Sequence, residues 1–279
     1  MGQCSNTCDC KDEKWEQGTC KGGECSTPQK NTGHELNHIK YVIAVMSGKG
    51  GVGKSTVTAL LATSLQKKGY KVGVLDADIT GPSIPKLFGV KKLPEDTGFG
   101  LLPAKSTEGI QVMSINLFLP SEDEPVIWRG PIISGVIKQF WEEVIWGELD
   151  FLLVDLPPGT GDAPLTVMQS LPLKGVVVVT SPQDLANMVV RKAMKMAQKM
   201  DIPILGVVEN MSFVECPDCG KRVFPFGEGK ANLMCQEFKT PLLGVLPLQS
   251  SLSILGDEGR IEEFNSEDLL KTELLLVQL

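Results

Sequence analysis

The sequence predicts an α/β fold with a doubly wound, mostly parallel sheet. Short apolar runs rich in β-branched residues recur along the chain, and stretches with helical spacing separate them. The run at 175–180 is continuous, which is typical of a central strand buried on both faces. Strands that alternate with helices form βαβ units. The predicted strands are residues 41–46, 71–75, 111–115, 151–155, 175–180, 204–209 and 242–247.

Helices are predicted between these strands from apolar spacing and end signals. The first follows the first strand and covers residues 56–68. A second covers residues 132 to about 146, with a proline directly before it. Another runs to about Lys199, and Ser181 or Asp184 is expected to cap its start.

Composition limits the classes of function that the chain can have. Its 279 residues are 42% hydrophobic and 22% charged, which suits a folded domain with a well-formed core. The net charge of −7 argues against a general nucleic-acid or anionic-membrane surface. Residues 1–37 are polar and lack apolar periodicity, so we predict a flexible, cysteine-rich segment there and a folded domain at 38–279.

The compartment is predicted from what the sequence lacks. The first residues contain no apolar core of a secretory signal, and no apolar run approaches the ~20 residues needed to span a bilayer. We therefore expect a cytoplasmic protein with no membrane partner and no nucleic-acid partner. In that reducing compartment the 8 cysteines are expected to bind metal or do redox chemistry rather than form structural disulfides.

A glycine-rich loop, GKGGVGKST at 48–56, fits the phosphate-binding pattern and lies between the first strand and the first helix, as that pattern requires. Its glycines allow a tight turn whose backbone N–H groups face an anion at the start of the helix. Lys54 is expected to reach the β- and γ-phosphates, Ser55 to supply its hydroxyl to Mg²⁺, and Thr56 to lie near the α-phosphate. The predicted domain at 38–279 is thus a P-loop NTPase. The residues predicted to bind the nucleotide here are Gly48, Lys49, Gly50, Gly51, Val52, Gly53, Lys54, Ser55 and Thr56.

Carboxylates follow two of the predicted strands, at the edge of a parallel sheet where ligands bind. Asp78 is expected to orient or activate the attacking water, with Asp76 nearer the Mg²⁺ shell. Asp155 closes another strand and is expected to hold Mg²⁺ through a water. The loop at 156–162 has the composition of a switch that senses the γ-phosphate. For Asp78 and Asp76 the alternative is that they only cap the next turn, and for the loop at 156–162 it is a plain turn in place of the switch.

A CxxC sequence, Cys216-Pro-Asp-Cys219-Gly, predicts a metal-binding knuckle whose two thiolates face the same side. One knuckle supplies half of a tetrahedral site, and a two-fold dimer would complete it. Four thiolates then suit a [4Fe–4S] cluster or zinc, and a redox disulfide is the remaining alternative. Cys235 lies in an apparent helix and is expected to be a small buried hydrophobic residue.

Five further cysteines lie in the segment 1–37, and their spacing matches no standard zinc or ferredoxin framework. The preferred interpretation is a second iron–sulfur cluster on four of the five. Zinc and a transient thiol relay are the alternatives. These cysteines are Cys4, Cys8, Cys10, Cys20 and Cys25.

With these motifs in place, the chain resembles the Mrp family of iron–sulfur cluster carrier ATPases, which are P-loop proteins of the deviant Walker A class. The resemblance covers about residues 38 to 260. Lys49 resembles the signature lysine of that class, which reaches across a homodimer interface to the partner's nucleotide; a solvated surface lysine is the alternative. The motifs that carry the resemblance are GKGGVGKST at 48–56, DADITGPS at 76–83, WRGP at 128–131, DLPPGTGD at 155–162, ENMS at 209–212 and CPDCG at 216–220.

The resemblance implies a homodimer that assembles a labile [4Fe–4S] cluster between its two CxxC pairs and transfers the cluster to apo iron–sulfur proteins. It also implies ATP and Mg²⁺ as cofactors, with slow hydrolysis controlling the geometry of the dimer. Lys49, Lys54 and Asp78 would have the catalytic roles. Asn210 would contact the adenine by the same analogy.

Two other functions share parts of this pattern. A partition or septum-positioning ATPase has the same loop and switches but binds DNA or membrane. The leucine-rich segment 266–279 could serve such a protein as an amphipathic anchor, although its acidic charge favours a packing helix. An electron-transfer reductase like the nitrogenase iron protein also shares a cluster between subunits, but it spaces its cysteines far apart.

Overall fold

The computed structural model describes residues 33–79, 81–119, 130–266 and 269–279. The five N-terminal cysteines, together with Trp128 and Arg129 of the WRGP motif, lie outside these residues. The predicted second cluster and the predicted boundary near residue 37 therefore stay predictions. Across the described ranges, no helix combines the length and the apolar character that a bilayer crossing requires.

The described elements alternate along the chain as the sequence predicts. The strands are β1 (His38–Ser47), β2 (Val72–Asp76), β3 (Glu95–Asp96), β4 (Leu101–Leu102), β5 (Ala104–Lys105), β6 (Gln111–Ser114), β7 (Glu148–Asp155), β8 (Gly175–Thr180), β9 (Ile204–Glu209), β10 (Val214–Glu215), β11 (Arg222–Val223) and β12 (Leu242–Val245). The α-helices are α1 (Lys54–Lys67), α2 (Ile84–Leu87), α3 (Gly130–Glu143), α4 (Asp162–Ser170), α5 (Asp184–Lys199), α6 (Ala231–Phe238), α7 (Ser250–Asp257) and α8 (Thr272–Val277). Two 3₁₀ turns cover Ile115–Phe118 and Ile261–Glu263.

A single large sheet holds eight of these strands in the order β12-β9-β8-β1-β7-β2-β6-β5. All neighbours in it are parallel except β5, which pairs antiparallel with β6 at the edge. The chain builds outward from β1 in both directions, since β2 and β6 lie on one side and β8, β9 and β12 on the other. This confirms the predicted doubly wound, mostly parallel fold.

Helices cover both faces of the sheet, and the central strands supply alternate residues to each face. In β8, Val176 and Val178 belong to one apolar layer, whereas Val177 and Val179 belong to the other. Helices α3, α4, α5 and α6 pack on the first face, and α1, α2, α7 and α8 pack on the second. Because both faces are buried, the strands carry continuous apolar runs rather than alternating ones.

Some element ends differ from the prediction. Helix α3 ends at Glu143 rather than near Trp146, because Val144 forms a bridge with Leu101 and the Trp146 side chain is buried. The N-cap of α5 is Gln183, so the prediction of Ser181 or Asp184 as the cap was wrong. The prediction of a terminal packing helix is confirmed by α8.

Two glycines give a matched test of this packing. A Cβ on Gly206 in β9 would lie 2.3 Å from Leu243 Cγ, whereas a Cβ on Gly135 in α3 would meet no atom within 4 Å. We expect Gly206→Ala to lower the free energy of unfolding by about 1–3 kcal/mol through overpacking. Gly135→Ala should raise it by about 0.5–1 kcal/mol through helix propensity. Urea unfolding followed by circular dichroism measures both, and equal midpoints for the two variants would contradict the packing described.

Candidate functional site

The loop between β1 and α1 has the backbone of a phosphate-binding loop. Gly51 and Gly53 adopt left-handed conformations, with φ of 81° and 76°. Gly53 is also the N-cap of α1, and because it has no capping side chain the first-turn N–H groups are left for an anion. A Cβ on Gly48 would lie 2.6 Å from the backbone nitrogen of Val190, so α5 packs directly against the loop. The sequence thus folds the loop as its glycine pattern predicts.

Lys54 forms a buried ion pair at the centre of the site. Its side chain is 6% exposed, and its Nζ lies 2.7 Å from Oδ2 of Asp155, whose side chain is 0% exposed. The same Nζ lies 3.8 Å from Oδ2 of Asp78. The structure therefore brings together the lysine and two of the three carboxylates that the sequence singled out.

Two hydroxyl groups complete the surroundings of Asp155. Ser55 Oγ donates a hydrogen bond to its Oδ2 at 2.5 Å, and Thr58 Oγ1 donates one to its Oδ1 at 2.7 Å. A serine hydroxyl beside a carboxylate is the pair of oxygen ligands that Mg²⁺ takes in P-loop proteins. Sequence analysis missed Thr58, although its place one helical turn after Lys54 puts it on the same face of α1.

Asp76 anchors the loop that carries Asp78. Its side chain is completely buried at the end of β2. Burial raises the pKa of Asp76 to about 8, and the negative charge of Asp155 adds to this shift. Its oxygens accept hydrogen bonds from the backbone N–H groups of Asp78 (3.2 Å), Ser83 (3.1 Å) and Ile84 (3.2 Å) and from the Ser114 hydroxyl (3.2 Å).

Lys49 and Gly159 both have partners within the chain. Lys49 Nζ donates to Oε1 of Gln183 at 2.5 Å, at the start of α5. The N–H of Gly159, in the loop 156–162 that is predicted to sense the γ-phosphate, donates to the Ser47 carbonyl at 3.0 Å, and Gly159 has a φ of 95°. The proposed switch loop therefore starts against the end of β1, directly beside the phosphate loop.

A cavity of about 320 Å³ lies next to the phosphate loop. Its walls include Thr56, Asn210 and Met211, and parts of the segment 247–257. The buried Asn210 amide donates from Nδ2 to the Val52 carbonyl at 2.9 Å, so this residue contacts both the loop and the cavity. The position fits the predicted adenine contact. The segment 247–257 was missed, because it carries no motif and reaches the cavity only through the fold.

The CxxC sequence forms the tip of the β10–β11 hairpin. Cys216 N–H donates to the Lys221 carbonyl at 3.0 Å, and Gly220 N–H donates to the Cys216 carbonyl at 2.8 Å. Cys216 is half-buried and Cys219 is exposed. Backbone N–H groups of Asp218 and Cys219 lower the pKa of the Cys216 thiol, which favours the thiolate that binds metal.

The knuckle offers two ligands. Within the residues that the structure describes, no three His, Cys, Asp or Glu side chains lie close enough together to hold a metal ion. Cys235 lies buried in α6, where burial raises its thiol pKa to about 11. This confirms the prediction that Cys235 behaves as a small hydrophobic residue.

Comparison with known proteins identifies relatives over most of the chain. Residues 38–276 match the model of the NUBPL iron-transfer P-loop NTPase family. The iron-sulfur cluster carrier protein of Clostridium perfringens is 46% identical over an alignment of 278 positions that covers 97% of each chain. That of Methanococcus maripaludis is 44% identical and covers 92% of this chain and 89% of its own.

Solved structures agree with this placement. One is a nucleotide-binding protein from Archaeoglobus fulgidus, solved in complex with ADP, in which cobalt was found. It is 51% identical, with a TM-score of 0.74, and the match covers 81% of this chain and 89% of that one. The septum site-determining protein MinD from Pyrococcus horikoshii is only 20% identical, with a TM-score of 0.57 over 86% of this chain and 95% of that one, and shares the fold alone. With its phosphate loop, its acids and its cysteine knuckle in one domain, the chain belongs to the family of iron–sulfur cluster carrier P-loop NTPases.

Proposed function

We propose that this protein is an ATPase that assembles a labile [4Fe–4S] cluster between two copies of itself and transfers it to apo iron–sulfur proteins. The observation that carries the proposal is the accessible two-cysteine knuckle with a lowered thiol pKa, built on the same domain as the phosphate loop. A [4Fe–4S] cluster takes four thiolates, one on each iron, and two knuckles supply four. The proposed setting is the cytoplasm, whose reducing conditions keep the thiols free.

The nucleotide site fits ATP with Mg²⁺ as cofactors. The Ser55 hydroxyl and the Asp155 carboxylate are hard oxygen ligands, which suit Mg²⁺ and not a soft metal. Bound Mg²⁺ would supply positive charge to the β- and γ-phosphates. Lys54 would provide a second positive charge, since its Nζ already lies 2.7 Å from Asp155, the carboxylate proposed to hold Mg²⁺.

Hydrolysis is assigned to Asp78 and Lys49. Asp78 is nearly buried and lies on a segment fixed by three backbone hydrogen bonds to Asp76, so its carboxylate can hold an attacking water in a defined place. Lys49 would exchange Gln183 for the nucleotide of the partner subunit, as the signature lysine does in related deviant Walker A proteins. Asn210 would contact the adenine from the wall of the cavity.

Removal of Lys54 tests the phosphate loop. We expect Lys54→Ala to weaken the affinity for ATP by at least about tenfold, because a lost hydrogen bond to a charged group costs about 1.5–3 kcal/mol. Titration with a fluorescent ATP analogue measures the affinity. Lys40→Ala is the control, since Lys40 pairs with Asp150 far from the loop. An unchanged affinity in a folded Lys54→Ala protein would remove the loop from its assigned role.

Replacement of Asp78 separates binding from hydrolysis. Asp78→Asn keeps the size of the side chain but removes the carboxylate that orients the water. We expect ATP affinity within about twofold of the wild type and a hydrolysis rate at least about 10²-fold lower, the usual contribution of a positioned acid or base. Phosphate release under saturating ATP measures the rate. Normal turnover would exclude Asp78 from the reaction.

The knuckle is tested by a double variant, Cys216→Ala with Cys219→Ala. After anaerobic reconstitution the wild type should hold about four more irons per two chains than the double variant, the content of one [4Fe–4S] cluster. The double variant should lack this cluster while still binding ATP. Iron and sulfide determination with Mössbauer spectroscopy measures the cluster and distinguishes it from zinc. Cys235→Ala serves as the control, and a normal cluster in the double variant would end the proposal.

A further inference from the structure

The buried carboxylate of Glu209, at the end of β9, has no part in the chemistry described so far. Glu209 as a whole is only 3% exposed to solvent. Oε1 accepts a hydrogen bond from the Ser212 hydroxyl at 2.7 Å, and Oε2 accepts one from the backbone N–H of Ala231 at 3.1 Å. Hydrogen bonds to a carboxylate are stronger than those between neutral groups, so both partners are held firmly.

These two partners are the two ends of the segment that carries the cysteines. Ser212 precedes β10, and Ala231 is the first residue of α6, which follows β11. One side chain therefore fixes both the entry and the exit of the cysteine hairpin. Gly229 makes room for it, because a Cβ on that residue would lie 1.8 Å from Glu209 Oε1.

The next residue along the chain fixes the phosphate loop. Asn210 Nδ2 donates to the Val52 carbonyl, and the backbone N–H of Asn210 donates to the Thr180 carbonyl at 2.8 Å, at the end of the neighbouring strand β8. Glu209 and Asn210 thus attach two separate functional elements to the same point of the sheet. Met211, which follows, has a left-handed backbone with φ of 58°, an unfavourable conformation for a residue with a side chain.

The wall of the cavity next to the phosphate loop is hydrogen-bonded to the residues that precede the cysteine hairpin. Ser212 N–H donates to the Leu246 carbonyl at 2.9 Å, and Leu248 N–H donates to the Phe213 carbonyl at 2.7 Å. The buried Phe213 ring lies 4.2 Å from the guanidinium carbon of Arg222 in β11. Met211 and Leu248 both line the cavity. A ligand that contacts either of them can therefore shift backbone that continues into the hairpin.

We propose that Glu209 is a positioning residue that couples nucleotide binding to the placement of the cysteine hairpin. It keeps both ends of the hairpin attached to the strand end from which Asn210 holds the phosphate loop. The nucleotide site and the hairpin then share one rigid junction. Nucleotide binding therefore changes the free energy of placing the hairpin, and the placement of the hairpin changes the free energy of nucleotide binding by the same amount. The relevance of this coupling to cluster transfer rests on the proposed function, but the coupling itself is a property of the metal-free protein.

Hydrogen–deuterium exchange on the metal-free full chain tests the coupling directly. In the wild type, a saturating non-hydrolysable ATP analogue should slow backbone exchange in residues 212–231 by at least about fivefold, the lower range of measured site-to-site couplings. Glu209→Gln keeps the size of the side chain but places an NH₂ group against one of the two donors. We expect it to lose the nucleotide effect on the hairpin while its affinity for the analogue stays within about twofold of the wild type.

A second variant reaches the same junction from the other side. Gly229→Ala should push the carboxylate off its partners and also abolish the nucleotide effect. If Glu209→Gln fails to fold, Gly229→Ala and Ser212→Ala test the role of Glu209 in its place. Each removes a hydrogen bond to the carboxylate, and each should reduce the nucleotide effect on the hairpin. The matched control is Glu262→Gln, because Glu262 is a 7% exposed carboxylate that accepts from the Ser106 hydroxyl at 2.6 Å and from the Glu108 N–H at 3.3 Å. It should keep the full nucleotide effect.

The outcomes separate this inference from the proposed function. A hairpin that responds to nucleotide equally in the wild type and in folded Glu209→Gln protein overturns the role of Glu209. A wild-type hairpin that does not respond at all overturns the coupling. Failure of the wild type to take up iron and sulfide would instead remove the proposed function, and the exchange result would stand unaffected.

Discussion

The buried ion pair between Lys54 and Asp155 is the interaction on which the site depends. Its two residues come from different elements, and they meet because β1 and β7 are parallel neighbours in which Val45 is opposite Asp155. Burial of two charges is costly unless their geometry is good and further hydrogen bonds satisfy them, and the Ser55 and Thr58 hydroxyls supply those bonds. Loss of one partner would leave a buried charge without compensation. The pair therefore sets the loop, the helix α1 and the end of β7 in one arrangement before any nucleotide arrives.

The parallel sheet also explains why two different chemistries meet at one edge. Strand ends at Asp76, Asp155 and Glu209 all point to the same side of the molecule, since the strands run in the same direction. Hard oxygen ligands collect near β1, β2 and β7, where they suit Mg²⁺ and phosphates. The soft thiol ligands stand apart, on a hairpin inserted between β9 and α6, where they suit iron. The two ligand types thus lie on different elements, and each suits a different class of metal.

The sequence predicted those parts of the structure that local patterns determine. The apolar runs predicted the seven parallel strands of the large sheet to within a few residues but not its antiparallel edge strand β5, and glycine spacing predicted the phosphate loop. Long-range pairs could not be predicted, because no local pattern encodes them. Lys49 with Gln183, Asn210 with Val52, and the cavity wall at 247–257 each depend on how distant elements pack. The α5 cap was mispredicted for the same reason, since the Gln183 side chain binds Lys49 while its backbone begins the helix.

A metal site shared between two chains can gain or lose half of its ligands when the chains move, which a site within one chain cannot do. In the proposed function each knuckle supplies two thiolates, and the lowered thiol pKa of Cys216 helps to keep its ligand in the metal-binding form. Separation of the two chains would reduce the ligands on the cluster from four to two and so weaken its binding. A carrier needs such a change in affinity, because a cluster that is always held tightly cannot be passed on. Junctions that tie the hairpin to the nucleotide site, as Glu209 does, are where nucleotide binding would control that change.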